Sequence, residues 1–582
     1  MDAGLNLVFI NNLINHFSLK TTKIFILSWL FFLGACSDNS SEPEKARYKI
    51  NVVENSQTNG RPNPETLSTK QILRKGNGAQ PQTLDPHKAE GVPSSNINRD
   101  LFEGLVSEAP NGDLIPGVAE SWIFDKSTLT YTFTIRDNAL WSDGSRLTAY
   151  DFEYGLQRTL DPKTGSKYTA ILAPILNAEE VAAGQIELSE LGVKAIDEKT
   201  LVVQLKSPTP YFLGLLTHAT SAPMHRQSVE KYGDSVAKPG HLVSNGAYLL
   251  SESVVQSHIK LVRNKYYWDN DNTIIDEVYY YPIEDQSSEL KRYRAGELDY
   301  TNEVPNNQFK WIKANLKDEL VIHPRLGIYY YGFNLTKAPF KDNLDLRLAL
   351  SMAIDREIIT SKVTQFGEKP AYAYVPPGIG SYQPQKPKWA HWSKEKRLAE
   401  AQRLYKKAGY SKTNSFEVEL RYNTSENHKK IAIAVAAMWK QALGVKTHLI
   451  NEEWKVFLSN RKMKQLTQIF RAGWISDYND PNSFLELMYS KHGMNDSGYD
   501  NPDYDSLLQE SANMINPTNR QNIMYKAENL ILKEQPIMPI YSYVVKRMIK
   551  PYVGGVGKNI MDVHRTKDWY ILKHEIIDLT GE

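Results

Sequence analysis

The stretch FRAGWISDYNDP, Phe470 to Pro481, places Arg471, Gly473, Trp474 and Asp477 within seven residues. A guanidinium and a carboxylate at this spacing admit three readings: acid–base chemistry by Asp477 with Asp480, a clamp for a ligand carrying both charges, or a polar loop. The planar fork of arginine pairs both oxygens of a carboxylate. A carboxylate pairs an ammonium through a charge-assisted bond that strengthens as water is excluded. Among 67 acidic residues, however, a close carboxylate pair arises by chance. No H-E-x-x-H, C-x-x-C, G-x-S-x-G or G-x-G-x-x-G occurs, and the 13 histidines lack metal-ligand spacing. GVGKN at Gly555 to Asn559 fails as a phosphate loop, with Tyr552 where a glycine is needed and Asn559 in place of Ser or Thr. Binding without catalysis, cofactor or metal is the expectation.

Such residues need elements to hold them. A chain of 582 residues, 41% hydrophobic, has room for two to four domains with substantial cores. Net charge is only +2 and no dense basic run appears, which argues against a nucleic-acid partner. The 33 tyrosines outnumber phenylalanine and tryptophan together and favour surfaces that stack and hydrogen-bond at once. LTYTFTI reads as a strand, the Asp143-Gly144 pair of RDNALWSDG as a turn, and TAYDFEYGLQRTL as a helix. From Asp345, DLRLALSMAIDREIITSKV predicts a helix with Leu346, Ala349, Leu350, Ala353 and Ile354 on one face and Asp345 as its cap. A further helix runs from His428 to Gly444, and the strand VKTHLI follows it. Helix-then-strand units imply an α/β protein whose sheets are covered by helices, in several lobes.

Cys36 is the only cysteine, which excludes an internal disulfide. It follows the apolar run IFILSWLFFLGA, preceded by Lys20 and Lys23, in the order of a secretory signal. That run is shorter than the roughly 20 residues of a membrane span. LGAC, Leu33 to Cys36, resembles the lipobox of bacterial lipoproteins, which implies cleavage before Cys36 and a lipid anchor on its thiol. A cleaved non-lipid signal or a short anchor is the alternative. Residues 1–35 are thus expected to be a signal peptide. Residues 36–75, rich in Ser, Asn, Pro and Glu, are expected to form a lipid-attached flexible tether.

Motifs spread along the rest carry a resemblance: LDPHKAEGVPSSNINRDLFEGL from Leu84, PGVAESW from Pro116, DFEYGLQR from Asp151, SNGAYLL from Ser244, YRAGELD from Tyr293, PAYAYVPPG from Pro370, YNTSENHKK from Tyr422, RAGWISDYNDP and KPYVGG from Lys550. The chain resembles the oligopeptide-binding proteins of bacterial ABC importers, the large three-domain class of extracytoplasmic solute-binding proteins, from about residue 76 to the C-terminus. The resemblance implies an α/β, two-lobed periplasmic binding protein of type II with a hinge. Lobe I would comprise 76–102, 228–327 and 545–582, an extra α/β domain 103–227, and lobe III 328–544.

It also implies site roles. Asp477 would pair with the α-amino group of a peptide, and Arg471 and His428 would meet its carboxylate. Gly473, Trp474 and Ile475 would run beside the peptide backbone, with Glu90, Gly91 and Val92 on the opposite side, so that the ligand adds a strand between lobes. Trp454, Trp474, Tyr168, Tyr330, Tyr543 and Arg461 would line side-chain pockets. Thr364 stands where well-known members of the family carry a lysine, which leaves the anchoring of one class of ligand length open. The implied partners are short peptides, an ABC permease with its ATPase subunits, and a membrane through the lipid, with the chain itself a monomer in the periplasm or on the outer face of the cell membrane. A murein tripeptide is the alternative ligand. A secreted hydrolase and a surface adhesin or chaperone are readings of other classes.

Overall fold

The computed structural model describes residues 48–53, 61–411 and 413–578. The expected signal peptide and Cys36 lie outside them. The chain enters with β1 (Ile72–Gly76) and α1 (Val92–Leu101), then β2 (Ala119–Asp125), β3 (Thr130–Ile135), α2 (Ala149–Leu160), β4 (Val193–Ala195) and β5 (Thr200–Gln204). Strands β6 (Tyr248–Val254), β7 (His258–Arg263), β8 (Glu277–Tyr281) and the long β9 (Leu320–Phe333) follow. Next come α3 (Leu344–Met352), β10 (Lys369–Pro370), α4 (Lys394–Lys407), β11 (Glu417–Asn423) and α5 (Glu426–Leu443). The last are β12 (Lys446–Glu452), α6 (Trp454–Met463), β13 (Ile469–Ile475), α7 (Pro517–Glu534) and β14 (Ile537–Met548).

Three larger sheets result, in the orders β1-β8-β7-β6, β2-β3-β5-β4 and β10-β14-β9-β13-β11-β12. The second is antiparallel throughout. The third pairs β13, β11 and β12 in parallel and the rest antiparallel. β3 shows how pattern makes structure: TYTFTI buries alternate residues, Tyr131, Phe133 and Ile135, on one face. In α5, Ser425 accepts the His428 N–H at the N-terminus and Gly444, at φ 79°, ends the helix in the left-handed region. Its inward face buries Ile431, Val435 and Trp439, each such side chain contributing about 2–3 kcal/mol.

Two helix readings need correction. α3 is capped by Asn343, whose side chain accepts the Leu346 N–H. Asp345 sits in the first turn and pairs instead with Lys407 at 2.9 Å. The helix also stops at Met352. Arg356, fully buried, donates to the carbonyls of Ser351 and Ile354, and Asp355 caps a separate turn by accepting the Ile358 N–H. The expected tether ends earlier than residue 75, because β1 pairs in parallel with β8, buries Leu73, and Arg74 bonds Asp299 at 2.8 Å. Tyr48–Val52 also pairs with His574–Asp578.

The long strands β9 and β14 pair from Leu320↔Met548 to Gly332↔Ile537, with the ladder interrupted between Pro324 and Ile328. Arg325, at that interruption, lines the cavity described next, while Leu326 is buried in the core.

Candidate functional site

β13 forms the floor. Arg471, Gly473 and Ile475 share one face of it and lie opposite Tyr331, Tyr329 and Gly327 of β9. Asp477 follows the strand end, its N–H held by Ser483 Oγ at 3.0 Å. Around them closes a cavity of about 280 Å³. Its wall contains Glu90, Gly91 and Val92 at the start of α1, Tyr168, Tyr330 of β9, His428 of α5, Trp454 and Arg461 of α6, Arg471, Gly473, Trp474 and Ile475 of β13, Asp477, and Tyr543 of β14. Every residue proposed from the sequence for the peptide site is thus brought to one place by elements far apart in the chain. Thr364 is not on that wall; its hydroxyl donates to Glu368 at 2.8 Å.

At one end, Arg471 donates to Tyr543 Oη at 2.6 Å and Asn423 Oδ1 at 3.4 Å, and lies 5.0 Å from the centre of the Tyr329 ring. Its Nε has no partner, and among the described residues no carboxylate forms an ion pair with it. A Cβ at Gly473 would overlap the Tyr543 hydroxyl and come within 3.1 Å of the Arg471 guanidinium, so this glycine makes room for the arginine's own support. Burial, reinforced by Arg471 and Lys546, pushes the His428 imidazole well below its ordinary pKa, and its Nδ1 is unpartnered. His428 is thus a neutral imidazole near the Arg471 guanidinium.

At the other end, Asp477 has an unpartnered Oδ2, and its nearest basic group is His218 Nε2 at 3.7 Å. Burial pushes the carboxyl up to about 7, with Arg99 opposing the shift, while burial and Arg99 push His218 down to about 3. The pair is not an ion pair at neutral pH. Asp480 is committed elsewhere, to a bidentate bond with Arg520 at 2.8 Å on each oxygen.

Flat side chains make the walls. Tyr168 stacks near Trp474 at 6.2 Å and against His218 at 4.8 Å, and Tyr330 meets Tyr374 edge-on. Arg461 is neutralised by Asp496 at 2.7 Å, which makes it a charge-balanced wall. Gly91, at φ 78°, sits against Trp454; a Cβ there would lie 2.7 Å from the indole. Contacts also cross the cleft. Glu90 pairs with Lys462 of α6, 372 residues away. Asn427, at the start of α5, accepts the Asn306 N–H at 3.1 Å and donates to the Val304 carbonyl at 3.3 Å, while Glu426 accepts from Ser287 at 2.8 Å. Tyr211 stacks on Tyr478 at 5.1 Å. Sequence reasoning missed Lys462, Asp496, His218, Glu303 and Lys546, none of which sits in a local pattern that marks a site, and Asn427, which adjoins His428 in YNTSENHKK.

Comparison with known proteins places this geometry. The family described as bacterial extracellular solute-binding proteins, family 5 (middle), matches residues 113–496. The periplasmic oligopeptide-binding protein OppA of Escherichia coli is 44% identical over 513 residues, covering 88% of this chain and 94% of that protein. The structure of Haemophilus influenzae OppA in complex with RPPGFSPFR is 39% identical and superposes with a TM-score of 0.85, over 87% of this chain and 100% of that one. The murein tripeptide binding protein MppA of Escherichia coli, 41% identical, also gives 0.85 over the same shares. The unliganded open form of MppA gives 0.62 over 87% of this chain and 98% of that one. The fold is that of these periplasmic peptide-binding proteins, in an arrangement matching the peptide complex better than the open form.

Proposed function

The chain belongs to the bacterial extracellular solute-binding proteins of family 5, and from that premise we propose that its cavity captures short peptides by their two ends and their backbone. It is the solute-binding component of a peptide ABC importer, works in the periplasm, and hands its ligand to the membrane permease and its ATPase subunits. One observation carries the reading: one cavity holds an arginine of β13 without a carboxylate partner and, just past the end of that strand, an aspartate without a cation partner. Six residues of strand span about 20 Å, and the inward reach of the arginine shortens this to the length of roughly three to five extended residues. Asp477 takes the α-amino group, Arg471 and His428 take the carboxylate, and the β13 backbone pairs with that of the peptide beside Gly473, Trp474 and Ile475. Glu90, Gly91 and Val92 close the opposite side. Trp454, Trp474, Tyr168, Tyr330, Tyr543 and Arg461 form roomy pockets that accept varied side chains.

The work is binding, without bond chemistry and without a cofactor; the commitment of Asp480 to Arg520 supports this against a carboxylate-pair hydrolase. Lobe I comprises 76–102, 228–327 and 545–582, lobe III 328–544 and the extra domain 103–227, and β9 and β14, interrupted at residues 325–327, form the hinge. The ligand favours closure because only the closed arrangement brings both lobes onto it. Cys36 carries the lipid anchor, and the protein acts as a monomer.

The test is direct. The protein from Ser37 onward is purified, gently denatured, and its released small molecules are identified by mass spectrometry. Mixed di- to pentapeptides are expected. A single species containing diaminopimelate would move the assignment to murein tripeptide. Repeated recovery without any peptide, and no calorimetric binding of added tripeptides to the refolded protein, would overturn the reading in favour of an adhesin or chaperone.

A further inference from the structure

The extra domain meets the two lobes through chemically different contacts. Toward lobe I it is held by buried polar bonds. Arg158 of α2 donates to both oxygens of Asp85, at 3.0 and 2.6 Å, and the His87 imidazole bonds the Ala222 carbonyl at 3.1 Å. Toward lobe III it presents ring faces. Tyr168 lies 6.2 Å from Trp474, and Tyr211 lies 5.1 Å from Tyr478 with the ring planes only 10° apart. Parting a buried ion pair strands its charges, whereas stacked rings separate at modest cost. The extra domain therefore travels with lobe I, and its seam with lobe III is the one that opens.

Tyr211 is presented on a rigid turn. Thr209, fully buried, is held at φ 33°, a backbone region that a β-branched residue occupies only when its surroundings enforce it. Its carbonyl accepts the Phe212 N–H at 3.0 Å, and its hydroxyl bonds that of Ser207 at 3.0 Å. Phe212 is buried beside Tyr131. A Cβ at Gly214 would stand 3.3 Å from the Tyr478 Cβ, so the turn sits directly on lobe III.

What the turn touches is the loop that carries Asp477. Tyr478 follows Asp477 directly; its carbonyl accepts the Ser476 hydroxyl and the Asp480 N–H, and its own hydroxyl accepts from Asn482 Nδ2 at 2.9 Å. Arg520, which clamps Asp480, also lies 4.9 Å from the centre of the Tyr211 ring. Tyr211 thus bears on the loop twice, at the residue after Asp477 and at the arginine that anchors Asp480. The Asp477 Oδ2 has no partner of its own, so the direction of its carboxylate is set by how this loop is held. We infer that Tyr211 is a positioning residue for the ligand amine: when the extra domain closes with lobe I, Tyr211 seats against Tyr478 and Arg520 and fixes the Asp477 carboxylate where the α-amino group meets it. Opening withdraws the ring and loosens the loop, which couples release of the amine to parting of the lobes. This rests on the peptide-binding reading, with the ligand amine on Asp477.

Calorimetry and stopped-flow dissociation on the ligand-stripped protein, with Ala-Ala-Ala and Ala-Phe-Ala, test it. Tyr211→Ala is expected to weaken both peptides about tenfold, through faster dissociation, because a stacked pair and a cation–π contact are lost together. Tyr211→Phe keeps the ring and should stay within about twofold of the parent. Gly214→Leu, which wedges the turn off Tyr478 and leaves Tyr211 in place, should act like Tyr211→Ala. Positioning has its own signature in double variants. Tyr211→Ala should still cost about tenfold beside Arg471→Met, at the far end of the ligand, but about twofold or less beside Asp477→Asn. Circular dichroism and the thermal transition verify each fold. Parent-like affinity in Tyr211→Ala, a Tyr211→Phe as weak as Tyr211→Ala, or a tenfold loss that persists beside Asp477→Asn would overturn the inference while leaving peptide binding standing. Absence of binding of both peptides by the parent would overturn the underlying reading, and this one with it.

Discussion

Replacing Asp477 by asparagine is expected to let the protein close without a ligand. In the closed cavity the carboxyl is pushed by burial to about 7 from an ordinary 3.8, with an unpartnered Oδ2 and a neutral His218 as its nearest basic neighbour. In an open cleft the same group is solvated and titrates near its ordinary value. Closing empty at pH 7 therefore costs about three pK units at roughly 1.4 kcal/mol each, or ~4 kcal/mol. The remaining 16% exposure of the side chain lowers this to about 2–4 kcal/mol. A ligand ammonium removes the cost, which makes Asp477 a guard against empty closure as well as a contact. The sign follows from linkage: the closed form holds the proton to higher pH than the open form. Between about pH 4 and pH 7 acid therefore favours empty closure, and raising the pH through 7 withdraws that support. Asp477→Asn removes the charge, shifting the ratio of closed to open by about 30- to 1000-fold at pH 7.5. Small-angle scattering, or energy transfer between dyes on the two lobes of ligand-stripped protein at pH 5 and 7.5, reads it. The reasoning fails if the variant stays as open as the parent at pH 7.5, or if the parent's closure is identical at both pH values.

Further perturbations test other parts of the site. Arg471→Met should weaken free-acid tripeptides by about 2–4 kcal/mol while carboxamide-capped versions lose little, a double comparison that calorimetry resolves. Gly91→Ala places a methyl 2.7 Å from the Trp454 indole at a φ of 78°, and should cut peptide affinity about tenfold or more with little change in m-value on urea unfolding. Asn427→Ala removes the bonds to Asn306 and Val304 across the cleft and should weaken all peptides alike, by about 1–2 kcal/mol, through faster dissociation in stopped-flow.

Local pattern determined a good part of this protein. Alternation in TYTFTI made β3, and Ser425 and Gly444 bounded α5. RAGWISD placed a cation within a strand and an anion just past its end and, with the other motifs, disclosed the family. What failed in the sequence failed where a second candidate competed over a longer range. Asn343 took the cap from Asp345, and the buried Arg356 ended a helix that periodicity would continue. The ionisation of the site was decided only by tertiary structure. Asp477 and Asp480 are three residues apart in one loop, yet one is buried without a cation and the other is clamped by Arg520. His428 is neutral because it is buried beside two cations. Backbone pattern depends on neighbours a few residues away. The charge of a side chain depends on water removed and partners supplied by strands and helices hundreds of residues distant, which assemble only when the chain folds.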